Sequence, residues 1–346
     1  LLDVLRDDAR VLSVKDGCSP QGQCGCCTVL VDGQPRVSCV TPVRRISGRA
    51  VTTVEGLPDG VRAEWADTLC ATGGSQCGFC TPGILLRLEG LRAKGGLADP
   101  VAIDRALAAH LCRCTGWQTI VESAVRIASG DRGGNVDHDR DLDAASRRAA
   151  IEGGVGQTVG PQVALGLGGF AADTAPPDSL IAVPDGRGGW ALGETLAEAR
   201  ANAGKVQGRR TTLVPEPPLA LPPGDWVRTL QTTWVEPAYL ETDAAWCVPG
   251  GEQVSPLANG GAFGAKHRSP VVEAARALAD EKGRPVLALL AREDTVRLGP
   301  KRPPIAAGVR ADGTGVVRVV ATPGISDAIR SMGAGLEVEE VELGGP

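Results

Sequence analysis

The chain has 346 residues, room for two or three domains at about 150 residues each. Lys and Arg number 36 against 41 Asp and Glu, a net charge of −5 that supplies no basic field for a phosphate backbone or an anionic membrane surface, so nucleic acid is not an expected partner. No window reaches the roughly 18 to 20 apolar residues of a membrane span, and Leu1-Leu2-Asp3-Val4-Leu5-Arg6 lacks the basic-then-apolar order of a signal peptide, which points to a cytoplasmic protein. The sequence opens on Leu1 rather than methionine, as a fragment or trimmed chain would.

Aromatic residues are 3% of the chain while Gly numbers 47 and Pro 25, so the core must rest on Val, Leu, Ile and Ala. In chain order, residues 1–8 read as a short helix with Leu1, Leu2 and Leu5 on one face, and Gly17 to Cys27 as a cysteine-rich loop. Thr28 to Cys39 carries β-branched residues on both sides of Asp32-Gly33, a hairpin signal, and Val51 to Val54 adds a strand. Four helices follow: one capped by Asp59 and running to Cys70, one starting at Thr81-Pro82 and reaching Lys94, one from Asp99-Pro100 to His110, and one from Thr115 or Gly116 to Ala128. Residues 129–150 are charged and poor in large apolar groups, as in a linker. Beyond it the pattern predicts helices over Gly193–Ala203 and Ser269–Lys282, a strand at Pro285–Leu290, a hairpin over Val309–Val320 turning at Asp312-Gly313, and a final strand at Leu336–Leu343.

Ten of the eleven cysteines lie between Cys18 and Cys114, and such clustering in a long chain without a signal peptide points to metal rather than disulfides. Cys18, Cys24, Cys27 and Cys39 are spaced C-x5-C-x2-C-x11-C. A plant-type 2Fe–2S site takes three thiolates from one loop, C-x4-C-x2-C, and a distant fourth; here the loop is one residue longer. Gly17, Gly22 and Gly25 allow tight backbone turns that aim amide N–H groups at sulfur. A four-cysteine zinc site is the competing reading, and Cys26, beside Cys27, could take a neighbour's place as ligand. The second set, Cys77, Cys80, Cys112 and Cys114, is spaced C-x2-C-x31-C-x-C, with both pairs at expected helix starts, where positive partial charge favours thiolate. The single residue between Cys112 and Cys114 is unusual for a zinc knuckle.

On these motifs, Gly17-Cys18, Cys24-Gly-Cys-Cys27-Thr-Val, Ser38-Cys39, Gln76-Cys-Gly-Phe-Cys-Thr-Pro-Gly83 and Cys112-Arg-Cys-Thr-Gly116, residues 1–128 resemble the iron–sulfur subunit or domain of the xanthine dehydrogenase and aldehyde oxidoreductase family of molybdenum hydroxylases. The resemblance implies an α+β protein: a β-grasp 2Fe–2S ferredoxin-like domain over residues 1–56, then a four-helix 2Fe–2S-binding domain over 57–128. It implies that the paired clusters relay electrons from a molybdenum–pterin centre, where an aldehyde or N-heterocycle is oxidised, towards a flavin or other acceptor. In that family the positions of Gln76 and Cys114 lie against the pterin.

Residues 151–346 resemble a partial α/β molybdopterin-binding region on weaker motifs: Glu236-Pro237, Gly260-Gly-Ala-Phe-Gly-Ala-Lys266, Gly283-Arg-Pro-Val286, Arg292-Glu-Asp294 and Lys301-Arg-Pro303, in the family's order. Gly260, Gly261, Phe263 and Gly264 are the candidate cofactor contacts, since a Gly-rich loop before a helix brings N–H groups close to an anionic ligand. No segment corresponds to a flavin domain, so FAD belongs to a partner chain, with a further molybdenum subunit as a second expected partner. The competing functional readings are a 2Fe–2S electron-transfer protein with a vestigial molybdenum region and a zinc-stabilised interaction module. Cys70 and Cys247 read as buried small hydrophobes, His110 as a helix end, Gly166 to Phe170 as a loop rather than a nucleotide site, and Arg147-Arg148 and Arg209-Arg210 as solvated charge.

Overall fold

The computed structural model describes residues 1–18, 20–130, 141, 143–144, 147, 158–205, 216–254, 261–262, 265–266, 269–299, 301–333 and 335–344. Most of the expected linker, with His138, Arg148, Arg209, Arg210 and His267, lies outside these residues. The chain divides into two compact units, Leu1–Arg209 with Ala238–Thr295 and Arg210–Pro237 with Val296–Pro346.

The first unit opens on a one-turn π-type helix, Val4–Asp8, ahead of the cysteine loop. Strands β1 (Thr28–Val31) and β2 (Gln34–Val37) form the antiparallel hairpin about Asp32-Gly33, and β3 (Val51–Thr52) pairs with the other edge of β1. The central strand is buried on both faces because side chains alternate along a strand. Val29 and Val31 pack with Leu2, Leu5 and Val14, while Leu30 joins the helical core on the opposite side.

That core is built by α1 (Asp59–Thr72), α2 (Thr81–Arg92), α3 (Pro100–Leu107) and α4 (Gln118–Ser129). Trp65, Leu69, Ile84, Leu85, Leu88, Ile103 and Ile120 fill it. Asp99 caps α3, its carboxylate accepting the Val101 N–H at 2.9 Å. Asp59 does not cap α1: Pro58 holds the cap position, and Asp59 lies in the first turn, paired with Arg62. The fourth helix starts at Gln118 rather than Thr115 or Gly116, because Trp117 is in the left-handed region at φ 67° and cannot belong to a right-handed helix. His110 lies beyond the end of α3, in the following loop.

The rest of this unit is an α/β layer. Strands β4 (Leu180–Pro184), β5 (Trp190–Gly193), β7 (Ala244–Cys247) and β8 (Val286–Leu289) form one sheet in the order β5-β4-β8-β7, with β4 and β8 parallel and the other neighbours antiparallel. A helix over Pro270–Lys282 packs on β7 and β8, and the seam is dominated by alanine: Ala182, Ala245, Ala274, Ala275, Ala279 and Ala288. The expected helix over Gly193–Ala203 is shorter, Leu196–Asn202, since Gly193 closes β5 and Thr195 caps the helix through the Glu198 N–H. Cys70 and Cys247 are buried, as expected of small hydrophobes. Gly166 to Phe170 is irregular backbone, with Phe170 edge-on to Phe79 at 5.2 Å.

The second unit holds β6 (Arg228–Gln231), β9 (Ile305–Val309), β10 (Gly315–Val320) and β11 (Leu336–Val341), ordered β11-β10-β9-β6. The β9–β10 hairpin turns at Asp312-Gly313, and β11 runs parallel to β10 after a helix over Ile325–Met332. Among the described residues no helix is long and apolar enough to cross a membrane.

Candidate iron–sulfur and cofactor sites

All eight expected iron ligands lie in the first unit as free thiols, six buried and Cys39 and Cys114 half-buried. The second set resolves into two facing pairs. The Cys114 and Cys77 sulfurs are 3.6 Å apart, and the Cys80 thiol bonds with Cys112. Cys77 and Cys80 enter α2 from the loop, Cys80 being its cap residue. Cys112 and Cys114 do not sit at a helix start as expected. They occupy the loop between α3 and α4, four residues or more ahead of Gln118.

In each pair the partner's hydrogen bond favours thiolate on one sulfur and thiol on the other. Cys112 is pulled down to about 6 by the Cys80 thiol, with help from the Thr115 hydroxyl at 3.1 Å, against burial. Cys114 is lowered by Cys77, while Cys77 and Cys80 are pushed well up by their partners and by burial. The first set forms a chain of sulfur contacts from Cys24 to Cys18, Cys18 to Cys39 and Cys39 to Cys27. Here Cys18 and Cys27 are lowered and Cys24 and Cys39 raised. Among the described residues, the amides that reach the first set's sulfurs are those of Gln21, at 3.1 Å from Cys18 Sγ, Gln23, also to Cys18, and Cys39, at 3.4 Å from Cys27 Sγ, rather than those of the loop glycines. The two facing pairs of the second set suit two irons with two thiolates each.

Adjacent residues of the first loop face different layers: Cys27 packs with Leu2, Leu5 and Val29, whereas Cys26 packs into the helical core with Phe79 and Cys80. The two sulfur sets are joined by backbone. The Leu111 N–H donates to the Cys24 carbonyl at 2.9 Å, one residue before Cys112. Gly25, in the left-handed region at φ 73°, lies so close to His110 that an added Cβ would be 2.4 Å from the ring. The His110 ring, buried and pushed down to about 4 by desolvation, meets Thr28 Oγ1 through Nε2 at 3.0 Å. Sequence reasoning missed His110 and Leu111 as the joint between the sets; the only signal was their place immediately before Cys112.

Gln76 Nε2 donates to the Cys114 carbonyl at 3.3 Å. Gly261 lies against the same point: an added Cβ would be 3.0 Å from Cys114 Sγ and 2.9 Å from Arg113 Cβ. Gln76, Cys114 and Gly261 are thus brought together from three segments, while Gly260, Phe263 and Gly264 lie outside the described residues.

The family of 2Fe–2S binding domains matches residues 53–125. The chain is 41% identical over 133 residues to the nicotine 6-hydroxylase small subunit of Paenarthrobacter nicotinovorans, covering 38% of this chain and 79% of that one. It is 40% identical over 129 residues to the xanthine dehydrogenase iron-sulfur-binding subunit of Escherichia coli O157:H7, covering 36% and 79%. The fold matches aldehyde oxidoreductase from Desulfovibrio gigas with a TM-score of 0.67 at 18% identity, over 98% of this chain. The chain spans 55% of that structure's length. These likenesses define a 2Fe–2S protein of the oxidoreductases. More narrowly, the chain belongs to the xanthine dehydrogenase and aldehyde oxidoreductase family of molybdenum-hydroxylase iron–sulfur subunits.

Proposed function

We propose that Cys18, Cys24, Cys27 and Cys39 hold one 2Fe–2S cluster, that Cys77, Cys80, Cys112 and Cys114 hold a second, and that the chain relays electrons from a molybdenum–pterin centre to a flavin or other acceptor. The supporting observation is the pairing of the second set, Cys77 with Cys114 and Cys80 with Cys112, on a buried platform. The donor set fits: eight thiols in one unit and none in a disulfide. When bound, a 2Fe–2S cluster passes one electron at a time, which lets a two-electron oxidation feed a separate acceptor.

The chain's own groups prepare these sites. The Gln21 and Gln23 amides and the Thr115 hydroxyl donate to Cys18 and Cys112, stabilising negative charge on sulfur. Burial excludes water from six of the eight thiols, Cys39 and Cys114 being half-buried, and the Leu111–Cys24 hydrogen bond ties the two sets together. Gln76, Cys114 and Gly261 present an amide, a sulfur and a side-chain-free surface at one point, the place this reading gives to the pterin. The substrate would be an aldehyde or N-heterocycle, with FAD on a separate subunit and a further molybdenum-binding chain in the assembly.

Iron, zinc and acid-labile sulfide analysis of anaerobically purified protein, with paramagnetic resonance before and after dithionite, tests this. The expected result is about four iron and about four sulfide per chain, with two distinct reduced signals. Zinc without sulfide or colour would replace the relay with a structural metal site.

A further inference from the structure

Residues of the first unit enclose a cavity of about 300 Å³, walled by the turn over residues 4–8, by Lys15 and Asp16, by Phe79 and by the α/β layer, a volume that takes a small organic molecule. We propose that this cavity binds a small uncharged carboxamide or lactam, its polar group meeting Arg200 and Glu241 and its apolar body lying against Phe79 and Phe170. None of the lining residues is an expected iron ligand, and Gln76, Cys114 and Gly261 are not part of the wall.

Two buried polar groups face this cavity with hydrogen-bonding capacity left over. Arg200 is 4% exposed. Among the described residues its guanidinium has one partner, Asp16 Oδ2 at 3.2 Å, although a guanidinium carries several N–H donors. Glu241 is 6% exposed, and its Oε2 accepts from Lys266 at 2.9 Å, while among the described residues nothing bonds to Oε1. The two groups border one volume: Asp16 follows Lys15, whose ammonium meets Asp173, and the Asp173 charge acts on Glu241. Buried donors and acceptors without partners are costly, and a ligand that supplies both an acceptor and a donor answers both.

The wall brings its own counter-ions. Asp173 meets Lys15 and Arg6, Asp16 meets Arg200, Glu194 meets Arg284, and Glu241 meets Lys266. The remaining lining acids, Asp7 and Asp8, stand at the exposed rim with Arg10. A charged ligand would shed its water without gaining an unpaired counter-ion, which disfavours anion and cation alike. Burial pushes the Glu241 carboxyl above its ordinary range, so it accepts when ionised and donates when protonated. An amide, with both N–H and C=O, pairs with either form. The rest of the wall is apolar: Phe79 and Phe170, edge-on with ring centroids 5.2 Å apart, and Ile181, Leu196 and Leu289.

Titration calorimetry of the full chain with benzamide, benzoate and benzamidinium tests this, because the three share one shape and differ in charge. Expected is saturable binding of benzamide, with both charged probes weaker by about tenfold or more. Arg200→Lys keeps a cation beside Asp16 but loses the planar fork, and benzamide affinity is expected to fall by about tenfold. Ala172 lines the cavity at an exposed position. Ala172→Trp is expected to fill the mouth and abolish binding, with an unchanged urea midpoint showing that the chain still folds. Failure of benzamide to bind the unaltered chain overturns the proposal, as does tighter binding of either charged probe. Benzamide affinity unchanged in either folded variant would put the probe elsewhere and overturn it too.

Discussion

The Cys24 carbonyl accepts the Leu111 N–H at 2.9 Å, tying the loop of the first cysteine set to the residue that precedes Cys112 of the second. One hydrogen bond thereby joins two sites whose ligands are spread over nearly a hundred residues. Leu111→Pro removes that donor and leaves the buried carbonyl with the long Cys26 contact. The expected cost is about 1–3 kcal/mol of stability, read as a lower urea midpoint. Electron exchange between the clusters, followed by flash reduction, is expected to slow with iron content unchanged; an unchanged midpoint and exchange rate would show that the bond contributes nothing.

Gly25 is the other half of this joint. Alanine there must adopt φ 73° and place its Cβ 2.4 Å from the His110 ring and 2.8 Å from the Ala109 carbonyl. Left-handed strain of about 1–2 kcal/mol adds to overpacking of about 1–3 kcal/mol. Gly25→Ala is expected to unfold at lower denaturant and to lose iron first from the set containing Cys24. Adding His110→Ala removes the ring but not the backbone strain, so the double variant should be more stable than the sum of the single effects predicts. Strict additivity in a double-mutant cycle would contradict the contact.

Lys15 is 1% exposed and carries three partners: the Asp173 carboxylate and the Leu12 and Gly166 carbonyls, the last at 2.8 Å. Arg6 meets the other Asp173 oxygen at 2.8 Å. Lys15→Met strips the buried carboxylate of one cation and two carbonyls of their donor, and breaking such a pair costs about 3–5 kcal/mol. Lys15→Met with Asp173→Leu removes both buried charges and should recover part of that loss. Chemical denaturation of the two variants checks the order, which would be reversed if the pair were surface-like and weak.

The readable parts of this chain were its local ones. Asp32-Gly33 marked a hairpin because both residues accept φ above zero, and Asp99-Pro100 marked a helix start because the cap and the first-turn proline are adjacent. The cysteine spacings pointed to two four-thiol sets in one region of the chain. Strands β4, β5 and β7 went unread: each is only four or five residues long, and β4 and β7 pair with the distant β8, so no alternation distinguishes them from loop. The displaced start of α4 followed from the left-handed Trp117, a residue whose type gives no warning of φ 67°. The bonds Leu111–Cys24 and Lys15–Asp173 join residues far apart in sequence and leave no periodic trace.

Glu241 gives the pH dependence. It is buried, with Lys266 Nζ 2.9 Å from one carboxylate oxygen and over the Tyr239 ring at 4.9 Å. Burial raises its pKa above the ordinary 4.5, more than Lys266 lowers it, with Asp173 and Asp243 adding to the rise. The folded state therefore holds the proton at pH values where the unfolded chain has lost it, and stability falls as pH rises from about 4.5 through the raised folded value. Glu241→Gln cannot titrate, although it leaves Lys266 unpaired and lowers stability throughout. The stability gap between the natural chain and Glu241→Gln should narrow as pH is raised from 4.5. Urea midpoints at several pH values measure that gap, and one that widens with pH would mean that Lys266 outweighs burial and holds Glu241 ionised.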